Sequence, residues 1–533
     1  MESSPSRGPF QSFAFTDLKS GFLVFLIALP LCLGIAMASG FPPVAGILTA
    51  IVGGVVVSFI GSAELTIKGP AAGLIVIALG AVMELGQGDP IAGYKRALAV
   101  GVVAALCQIG LAFFRTATVG IAMSPSVVHG MLAAIGVIII ANQTHAVFGV
   151  VPEPGEPLHL LAQIPHSLMT ANPEILAIGG VSLLILFGWP LIRASWAKSV
   201  PAALVVLAVT IPLEMAFGVG EAHPYEFLGH AYTVGPQYLV SLPGSLVDAI
   251  NLPDFSMITS AASIKYIVMF ALVGTIESTL SVLAVDSMDP AKDPSDLNRD
   301  LLSVGIGNLV CALIGGLPMI SEIVRSRANV DARAQSRWSN FFHGAFLLLF
   351  VALAPGFLQL IPLAALAAML VYTGSRLASP AEIRHAHSVG RDQLALFLTT
   401  LIVTLTTDLL VGVGVGLALK VLLHWVRGAS PLDLFSTRVE AESDSENGLA
   451  LRVVGVAAFT TLLELRRHLS SIAPGIRRIV VDLHDARLVD HTFLSRLDAM
   501  AAEVAVDDFS IVGLESMNAR SAHPHATRTR RAE

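Results

Sequence analysis

The feature that most limits what this chain can fold into is a succession of apolar segments that fills residues 21–425 with only short polar breaks. A bilayer core requires about 20 apolar residues per helix, so this stretch has room for roughly twelve to fourteen spans. Only 13% of the 533 residues are charged, against roughly 25% in soluble globular proteins. We therefore predict a polytopic membrane protein, which excludes a soluble enzyme and a single-span receptor.

We count about fourteen apolar segments, most of them long enough to cross a bilayer. Several are short, contain proline or begin with Gly-Pro or Leu-Pro, which is typical of discontinuous membrane helices. The predicted segments are 18–39, 44–60, 70–86, 97–114, 118–141, 174–191, 199–218, 259–285, 299–317, 318–333, 340–360, 361–377, 392–408 and 409–426.

Two of the short segments begin in the same way. Gly69-Pro70 opens the segment AAGLIVIALGAV, and Leu317-Pro318 opens MISEIVRSRANV. Each follows the start of an earlier long segment by about 50 residues, which suggests two repeated halves. Inverted-repeat transporters bind substrate where the N-termini of two broken helices meet, because these ends carry unpaired N–H groups and a partial positive charge. The pattern predicts an anion site, although two ordinary helices that start near a proline would look the same.

The remaining composition limits the possible partners. The formal net charge is −7, from 32 basic and 39 acidic residues, and it does not indicate a nucleic-acid surface. The three cysteines, Cys32, Cys107 and Cys311, lie in separate apolar runs, and the 15 histidines show no ligand spacing. We expect the lipid bilayer as surroundings, no nucleic acid, no organic cofactor and no catalytic residues of an enzyme.

The chain changes character after residue 425. Residues 427–448 are polar and acidic, and beyond them short strands alternate with amphipathic helices, as in a small soluble α/β domain. Basic residues near both ends predict cytoplasmic termini and a position in the inner (plasma) membrane. We predict a cytoplasmic tail at 1–14, a transmembrane transport domain at 15–428, a linker at 429–448, an α/β domain at 449–520 and a basic, disordered tail at 521–533.

Several motifs resemble the sulfate permease (SulP) family of inorganic anion transporters, and the C-terminal domain resembles the STAS module of that family. The resemblance implies an all-α polytopic membrane domain with a small cytoplasmic α/β STAS domain. It also implies about fourteen helices in a 7+7 inverted repeat with core and gate, a homodimer and elevator-type alternating access. The motifs are ALPLCLGIAMASGFPPVAGILTAIVGG (28–54), KGPAAG (68–73), GTIESTLSVLAVD (274–286), GNLVCALIGGLPMISEIVRSRANV (307–330), Val480-Val481-Asp482-Leu483 and Leu488-Val489-Asp490-His491-Thr492.

The resemblance implies an anion site between the third and tenth helices. Small residues suit such a site, because an anion reaches backbone N–H groups only where side chains do not block them. Arg325 matches a basic position of the family and would raise the local potential, or it pairs structurally with an acid such as Asp331. The substrate-binding positions carried over are Gly69, Ala71, Ala72, Ser321, Glu322, Ile323, Arg325, Leu31 and Ile35.

Glu277 lies inside a predicted span, where an ionisable group costs at least about 2.5–3.5 kcal/mol and therefore indicates a functional site. Members of the family bind a coupling cation at this position. Ser281 follows one helical turn later on the same face. We expect the two residues to hold Na⁺ through oxygen ligands or to exchange a proton, and we expect no other metal. A structural buried hydrogen bond is the alternative for Glu277.

The sequence departs from the family pattern in two places. In the tenth helix the usual small residues are replaced by Met319-Ile320-Ser321-Glu322, which puts a carboxylate where an anion should lie. In the STAS module, Asp490-His491-Thr492-Phe493 lacks the first serine of the loop that is phosphorylated in relatives. We therefore predict no phosphorylation at that position, and we interpret His491 as the first residue of a helix rather than a metal ligand.

The unusual acid suggests a charge pair. Lys68 precedes Gly69-Pro70, and Glu322 follows Pro318 by a few residues, so opposed broken helices would bring the two charges together. Pairing offsets part of each desolvation penalty. We predict a Lys68–Glu322 ion pair, with local pairing of Lys68 to Glu64 as the alternative.

The sequence is compatible with three functions. The leading hypothesis is a Na⁺- or H⁺-coupled secondary transporter of a small oxyanion such as bicarbonate or sulfate. A nucleobase-type proton symporter of the same fold would use Glu277 and Glu322 to hydrogen-bond a neutral ring. A non-transport protein would use the membrane part as an anchor and the STAS domain as a sensor or scaffold for a cytosolic partner.

Overall fold

The structure is a computed structural model of the chain. It describes residues 15–117, 123–153, 155–194, 197, 200–242, 248–289, 295–429, 438–445, 448–470, 476–503 and 506–530. The predicted cytoplasmic tail at 1–14 lies outside this part. The chain divides into two compact units, Met1–Thr116 with Ile135–Leu377, and Ala117–Ala134 with Ala378–Glu533.

The first unit is almost entirely helical. Its helices begin with proline or a capping side chain in several places, as when Asp89 accepts backbone N–H groups at the start of α4. The elements are α1 (Phe15–Ala38), α2 (Pro43–Ile51), β1 (Ile67–Pro70), α3 (Ile75–Gly86), α4 (Pro90–Phe113), α5 (Pro125–Val147), which begins in the second unit, α6 (Pro157–Met169), α7 (Pro173–Gly188), α8 (Ala202–Phe217), β2 (His223–Phe227), β3 (His230–Val234), α9 (Ala261–Met288), α10 (Leu297–Ile314), β4 (Met319–Glu322), α11 (Ile323–Asp331), α12 (Trp338–Leu353), α13 (Pro355–Leu358) and α14 (Leu363–Leu377).

The helices agree with a multi-pass membrane protein. Within the described residues, 7 helices are long and apolar enough to cross a membrane, and shorter apolar helices accompany them. The long helices are Phe15–Ala38, Pro90–Phe113, Pro125–Val147, Pro173–Leu191, Ala261–Met288, Leu297–Ile314 and Leu409–Val426. The shorter ones are Pro43–Phe59, Ala72–Gly86, Ala202–Phe217 and Trp338–Leu353.

The two segments that open with proline do not begin as helices, which corrects the predicted spans 70–86 and 318–333. Ile67–Pro70 and Met319–Glu322 are buried strands that pair antiparallel, with Gly69 opposite Ile320 and Lys68 opposite Ser321. The residue before a proline is driven towards extended backbone, which explains the start of this geometry. Pairing then satisfies backbone groups that would otherwise be unpaired in the membrane interior.

The second unit combines three helices of the apolar region with the C-terminal domain. Its remaining elements are α15 (Pro380–Val389), α16 (Arg391–Thr406), α17 (Leu409–Val426), β5 (Arg438–Ser445), β6 (Gly448–Ala457), α18 (Phe459–Ser470), β7 (Arg478–Asp482), β8 (Ala486–Val489), α19 (His491–Glu503), β9 (Asp508–Val512), β10 (Asn518–Ala519) and β11 (Arg528–Thr529). The strands form one sheet in which β6 pairs parallel with β7 and β8, and β7 pairs parallel with β9. Apolar side chains such as Leu465 and Phe493 form the core beside this sheet.

The α/β domain extends beyond its predicted ends. Residues 438–445 of the predicted linker form β5, an antiparallel neighbour of β6. Glu440 and Glu442 are exposed and Val439 is buried, so this strand at the sheet edge has the composition of a polar linker. The tail at 521–533 is not entirely disordered either, because Arg528–Thr529 pairs with β8. The remaining predicted boundaries stay predictions.

Candidate functional site

The positions predicted from the third and tenth helices come together at the paired strands. Gly69 lies in β1, the Ala71 N–H donates to the Pro318 carbonyl at 3.3 Å, and Ala72 begins the turn that leads into α3. Ser321 and Glu322 end β4, and Ile323 begins α11 with 44% of its side chain exposed. Both strands therefore end where a helix begins, and the two helix starts lie side by side.

Glu322 contacts the start of the opposite helix. Its carboxylate Oε1 accepts a hydrogen bond from the Ala72 N–H at 3.3 Å, and the residue is only 8% exposed. Backbone N–H groups in the first turn of a helix have no partner within the helix, and the helix dipole favours negative charge there. A carboxylate of the protein therefore occupies a donor that suits an anionic ligand.

Glu277, on α9, lies beside the same helix start. It is 7% exposed, and neither carboxylate oxygen has a hydrogen-bond partner among the described residues. The carboxylate packs directly against Gly73, where any Cβ would collide with both oxygens. Glu322 contacts Ala72, and Glu277 contacts Gly73, the next residue of the same turn. The two carboxylates interact electrostatically. The site thus contains two buried carboxylates that repel each other.

Ser281, predicted as the partner of Glu277, is buried one turn further along α9. The serine that contacts the paired strands is Ser278, whose Oγ accepts from the Ser321 N–H at 3.1 Å and lies 3.3 Å from the Ser321 Oγ. Sequence reasoning missed Ser278, because a serine beside an apolar stretch has no signal of its own. Within the described residues no group of three or more His, Cys, Asp or Glu side chains could hold a metal ion.

The predicted Lys68–Glu322 ion pair is wrong, and so is its alternative with Glu64. The Lys68 Nζ lies 2.7 Å from the Asp300 Oδ1, and both side chains are buried. Glu64 is paired with Arg337 instead. Successive residues of a strand point to opposite sides, and Lys68 is in register with Ser321, one residue before Glu322. Lys68 therefore faces away from Glu322.

Asp300, near the start of α10, connects the lysine to the paired strands. Its second oxygen, Oδ2, accepts a hydrogen bond from the Ser321 Oγ at 3.1 Å, and the Lys68 Nζ also contacts the Thr66 hydroxyl. Sequence reasoning missed Asp300, although an acid at the edge of an apolar segment could have signalled a buried partner for a basic residue. The lysine charge is neutralised here and is not available to an anion.

Arg325 is held beneath β1. Its Nη2 donates to the Pro70 carbonyl at 3.3 Å, its Nη1 lies 3.5 Å from the Cys32 Sγ, and the residue is 1% exposed. The suggested pair with Asp331 does not form, because Asp331 pairs with Arg327. The guanidinium fits only because Gly69 has no side chain. Arg325 is thus a buried positive charge that interacts electrostatically with Glu322.

The two predicted positions on α1 lie close in sequence to Cys32, which contacts Arg325. Leu31 and Ile35 lie on either side of Cys32 in sequence, with Leu31 partly exposed and Ile35 buried. The interacting charges around the two helix starts are therefore Glu277, Glu322 and Arg325, since Lys68 and Asp300 cancel each other. With both glutamates ionised this sum is negative. An anion could bind here only after at least one carboxylate has been neutralised.

The predicted STAS loop is also well defined. His491 is the first residue of α19, in agreement with the prediction. Its Nδ1 lies 3.0 Å from the His525 carbonyl, and burial lowers the pKa of His491 to about 4. A neutral, buried imidazole at a helix start has a structural role here. The carboxylate of Asp490 caps the same helix by accepting the Phe493 N–H at 2.6 Å.

Both the sequence and the fold are similar to those of known proteins. The sequence profile of the sulfate permease family matches residues 15–400. The putative sulfate transporter YvdB of Bacillus subtilis (strain 168) is 26% identical over 405 residues, which cover 76% of this chain and 72% of that protein. The bicarbonate transporter BicA of Picosynechococcus sp. (strain ATCC 27264 / PCC 7002 / PR-6) is 23% identical over 439 residues, covering 82% and 74%.

Solved structures show the same architecture. The transmembrane domain of a cyanobacterial bicarbonate transporter BicA superposes with a TM-score of 0.65 at 22% identity, covering 75% of this chain and 97% of that one. Murine Solute Carrier 26 family member A9, an anion transporter in the inward-facing state, gives 0.69 at 13% identity, covering 95% and 86%. The helical domain has the fold of these transporters, and the C-terminal β-rich region fits a STAS domain. The family consists of permeases, which are not enzymes, and the chain belongs to the sulfate permease family.

Proposed function

We propose that this protein is a secondary active transporter that couples movement of a small inorganic oxyanion, bicarbonate or sulfate, to movement of protons. One observation carries the proposal: two buried carboxylates, Glu277 and Glu322, lie together where two helix starts present N–H donors. Helix starts favour an anion, whereas a pair of carboxylates excludes one. Proton uptake resolves this conflict, and relatives named as sulfate and bicarbonate transporters support the choice of substrate.

A proton fits this site better than Na⁺. A hard cation needs several oxygen ligands at once, whereas a proton needs one lone pair. Glu277 has two oxygens without partners, but the Ser278 hydroxyl beside it already accepts the Ser321 N–H. The environment described here therefore favours proton exchange by the neighbouring carboxylates Glu277 and Glu322 over a Na⁺ site at Glu277 and Ser281.

The larger organisation belongs to the same proposal. We infer a 7+7 inverted repeat of about fourteen helices and elevator-type alternating access in a homodimer. We also infer that the protein resides in the inner membrane with both termini in the cytoplasm, where the STAS domain can meet a cytosolic partner. The paired starts of α3 and α11 support the repeat, because each follows a buried strand and each strand completes the other.

A second candidate function rests on the same acids. Two buried carboxylates can hydrogen-bond the N–H groups of a neutral nucleobase, which has no charge for them to repel. The unpartnered oxygens of Glu277 favour this candidate. Against it, Arg325 adds a positive charge that a neutral ring does not need.

Uptake into proteoliposomes tests the proposal. Labelled bicarbonate, sulfate and uracil are offered separately, each with an inward proton gradient, an inward Na⁺ gradient or no gradient. We expect uptake of an oxyanion that a proton gradient accelerates and a Na⁺ gradient does not. Uptake driven only by Na⁺ would overturn the coupling, and uptake of uracil without either oxyanion would establish the second candidate.

A further inference from the structure

We infer that Glu322 is a built-in competitor of the transported anion, which it excludes while ionised and admits once protonated. The inference rests on the proposed anion transport and adds the residue that regulates the site. Its basis is the contact of the buried Glu322 carboxylate with the Ala72 N–H at the start of the turn that leads into α3. The protein thereby supplies its own anion to the start of α3.

The hydrogen bond between the Glu322 carboxylate and the Ala72 N–H is one that a bound anion can replace. At 3.3 Å the bond is longer than the usual 2.9–3.0 Å for N–H···O, so it is weak for a charged acceptor. It is the one hydrogen bond described for this carboxylate. An incoming anion can therefore take over the same donor without dismantling a network.

The groups that face Glu322 make ionisation of both acids unfavourable. Glu277 from α9 repels it, because the two acids contact adjacent residues, Gly73 and Ala72, of the turn before α3. Arg325 from its own helix attracts it, but that guanidinium also donates to the Pro70 carbonyl. Arg325 can offset at most one negative charge, so one carboxylate charge stays uncompensated when both acids are ionised.

The other titratable groups nearby do not change this balance. The Cys32 thiol of α1 interacts with both Glu322 and Arg325, and the ring of His343 on α12 is fully buried beside Arg325. Lys68 of β1 and Asp300 of α10 form a closed pair on the opposite side of the strands. Glu277 and Arg325 are therefore the groups that set the charge of Glu322.

Protonation changes what Glu322 offers to a ligand. An ionised carboxylate only accepts hydrogen bonds, whereas a carboxylic acid also donates one. On protonation, a proton from solution binds the carboxylate, the Ala72 N–H is released, and the O–H becomes a second donor for the anion. When the anion leaves, the proton leaves and the carboxylate returns to the N–H. Each anion bound is accompanied by one proton.

Anion binding to the purified protein tests this inference. Sulfate and nitrate are the probes, because their charges are constant between about pH 5.5 and 8.5. For the native chain we expect the dissociation constant to rise about tenfold per pH unit in the upper part of this range. For Glu322→Gln, which keeps an uncharged donor at the site, we expect a dissociation constant that is independent of pH and equals the native low-pH value within about threefold.

Glu84→Gln is the matched control. Glu84 lies on the same helix α3, but it is exposed and pairs with Lys265, so its variant should keep the native pH profile. Proton uptake on anion binding, measured with an indicator dye in weak buffer, gives a second readout that does not depend on any variant. We expect about one proton per anion for the native chain and none for Glu322→Gln.

The outcomes separate this inference from the function on which it rests. Native protein that binds anion with the same affinity at every pH, or without proton uptake, would overturn the role of Glu322 and leave anion transport standing. A folded Glu322→Gln variant with the native pH dependence would do the same. Native protein that binds neither probe at any pH would also overturn this inference, whereas anion transport itself is overturned only if neither bicarbonate nor sulfate is taken up into proteoliposomes.

Discussion

Two buried carboxylates lie at helix starts, Asp490 in the C-terminal domain and Glu322 in the first, helical unit. They differ in the charges that surround them. Asp490 is 2% exposed, yet its Oδ1 caps α19 and its Oδ2 lies 2.9 Å from the Lys420 Nζ. Burial raises the pKa of Asp490, but the charges of Lys420 and His424 outweigh it and the pKa is lowered. Glu322 has one weak backbone bond and a second acid beside it.

The difference shows that burial alone does not decide the charge of an acid. A carboxylate with a dedicated cation and a short backbone bond stays ionised and fixes structure. Asp490 does this for the attachment of the C-terminal sheet to α17, since Lys420 also donates to the Thr492 hydroxyl at 2.7 Å. Glu322 has one cation and a second acid near it, and it is the carboxylate that we propose to exchange protons. The experiments below test this contrast.

The largest effect should come from Glu277→Gln. The substitution keeps the shape of the side chain but removes the like charge that drives Glu322 to take up a proton. Glu322 then stays ionised near neutral pH, so proton-driven anion uptake there should fall to the background of empty liposomes. Anion binding should persist, with its pH midpoint moved to lower pH, because Glu322 no longer faces a like charge. Uptake assays and binding titrations on the same preparation measure both effects. Native uptake rates in this variant would contradict the role of Glu277.

The next largest effect should come from Asp490→Ala, which should lower the stability of the C-terminal domain. It leaves Lys420 buried without its counter-charge, which costs about 3–5 kcal/mol. We expect earlier thermal unfolding and faster proteolysis of the C-terminal domain, with an unchanged order of preference among anions. Asp485→Ala, at an exposed position of the same domain, is the control. A change in anion preference would contradict the separation between the two regions.

A smaller effect is expected for Ser278→Ala. The variant leaves the buried Ser321 N–H without its acceptor, a loss of about 1–3 kcal/mol. Uptake should be reduced while the pH midpoint of anion binding stays native, because no charge changes. Ser281→Ala, one turn further on α9, should retain more of the native rate. An altered pH midpoint in Ser278→Ala would show that Ser278 takes part in proton exchange.

The smallest effect concerns the pH dependence of the STAS attachment. Because the pKa of Asp490 is lowered on folding from its ordinary value of 3.8, its contribution to stability is complete above that value and is lost as the pH falls through the folded value. Between about pH 5.5 and 8.5 we therefore expect no change in the hydrogen-exchange protection of the Phe493 N–H. Anion binding should vary strongly over the same range. Loss of protection in parallel with anion binding would refute the contrast.

Much of this arrangement follows from the sequence, and what does not has identifiable causes. Apolar length predicted the membrane helices, and strand–helix alternation predicted most of the C-terminal domain. Glu277 stood out because an acid inside an apolar run is costly. The strands β1 and β4 were missed because each has only four residues, buried on both faces, and therefore has no period-two alternation.

The error at Lys68 has the same origin. Opposed helices would have brought Lys68 and Glu322 together, whereas a strand directs Lys68 and its neighbours to alternate sides. The partner of the lysine, Asp300, is 232 residues away in sequence, and no local pattern can indicate such a contact. Likewise β5 was interpreted as a linker because an exposed edge strand is mostly polar.

The pairing of β1 with β4 also restricts how the anion can be released. The strands before the two helix starts are joined by backbone hydrogen bonds, by Asp300, which contacts Lys68 of β1 and Ser321 of β4, and by the Arg325 contact with Pro70. Separating them would leave all these polar groups without partners in a nonpolar interior. The proposed anion site therefore has walls that are fastened to each other. In the proposed transport, access to it changes along its outer boundary, so that the compartment is uncovered as a whole rather than opened from within.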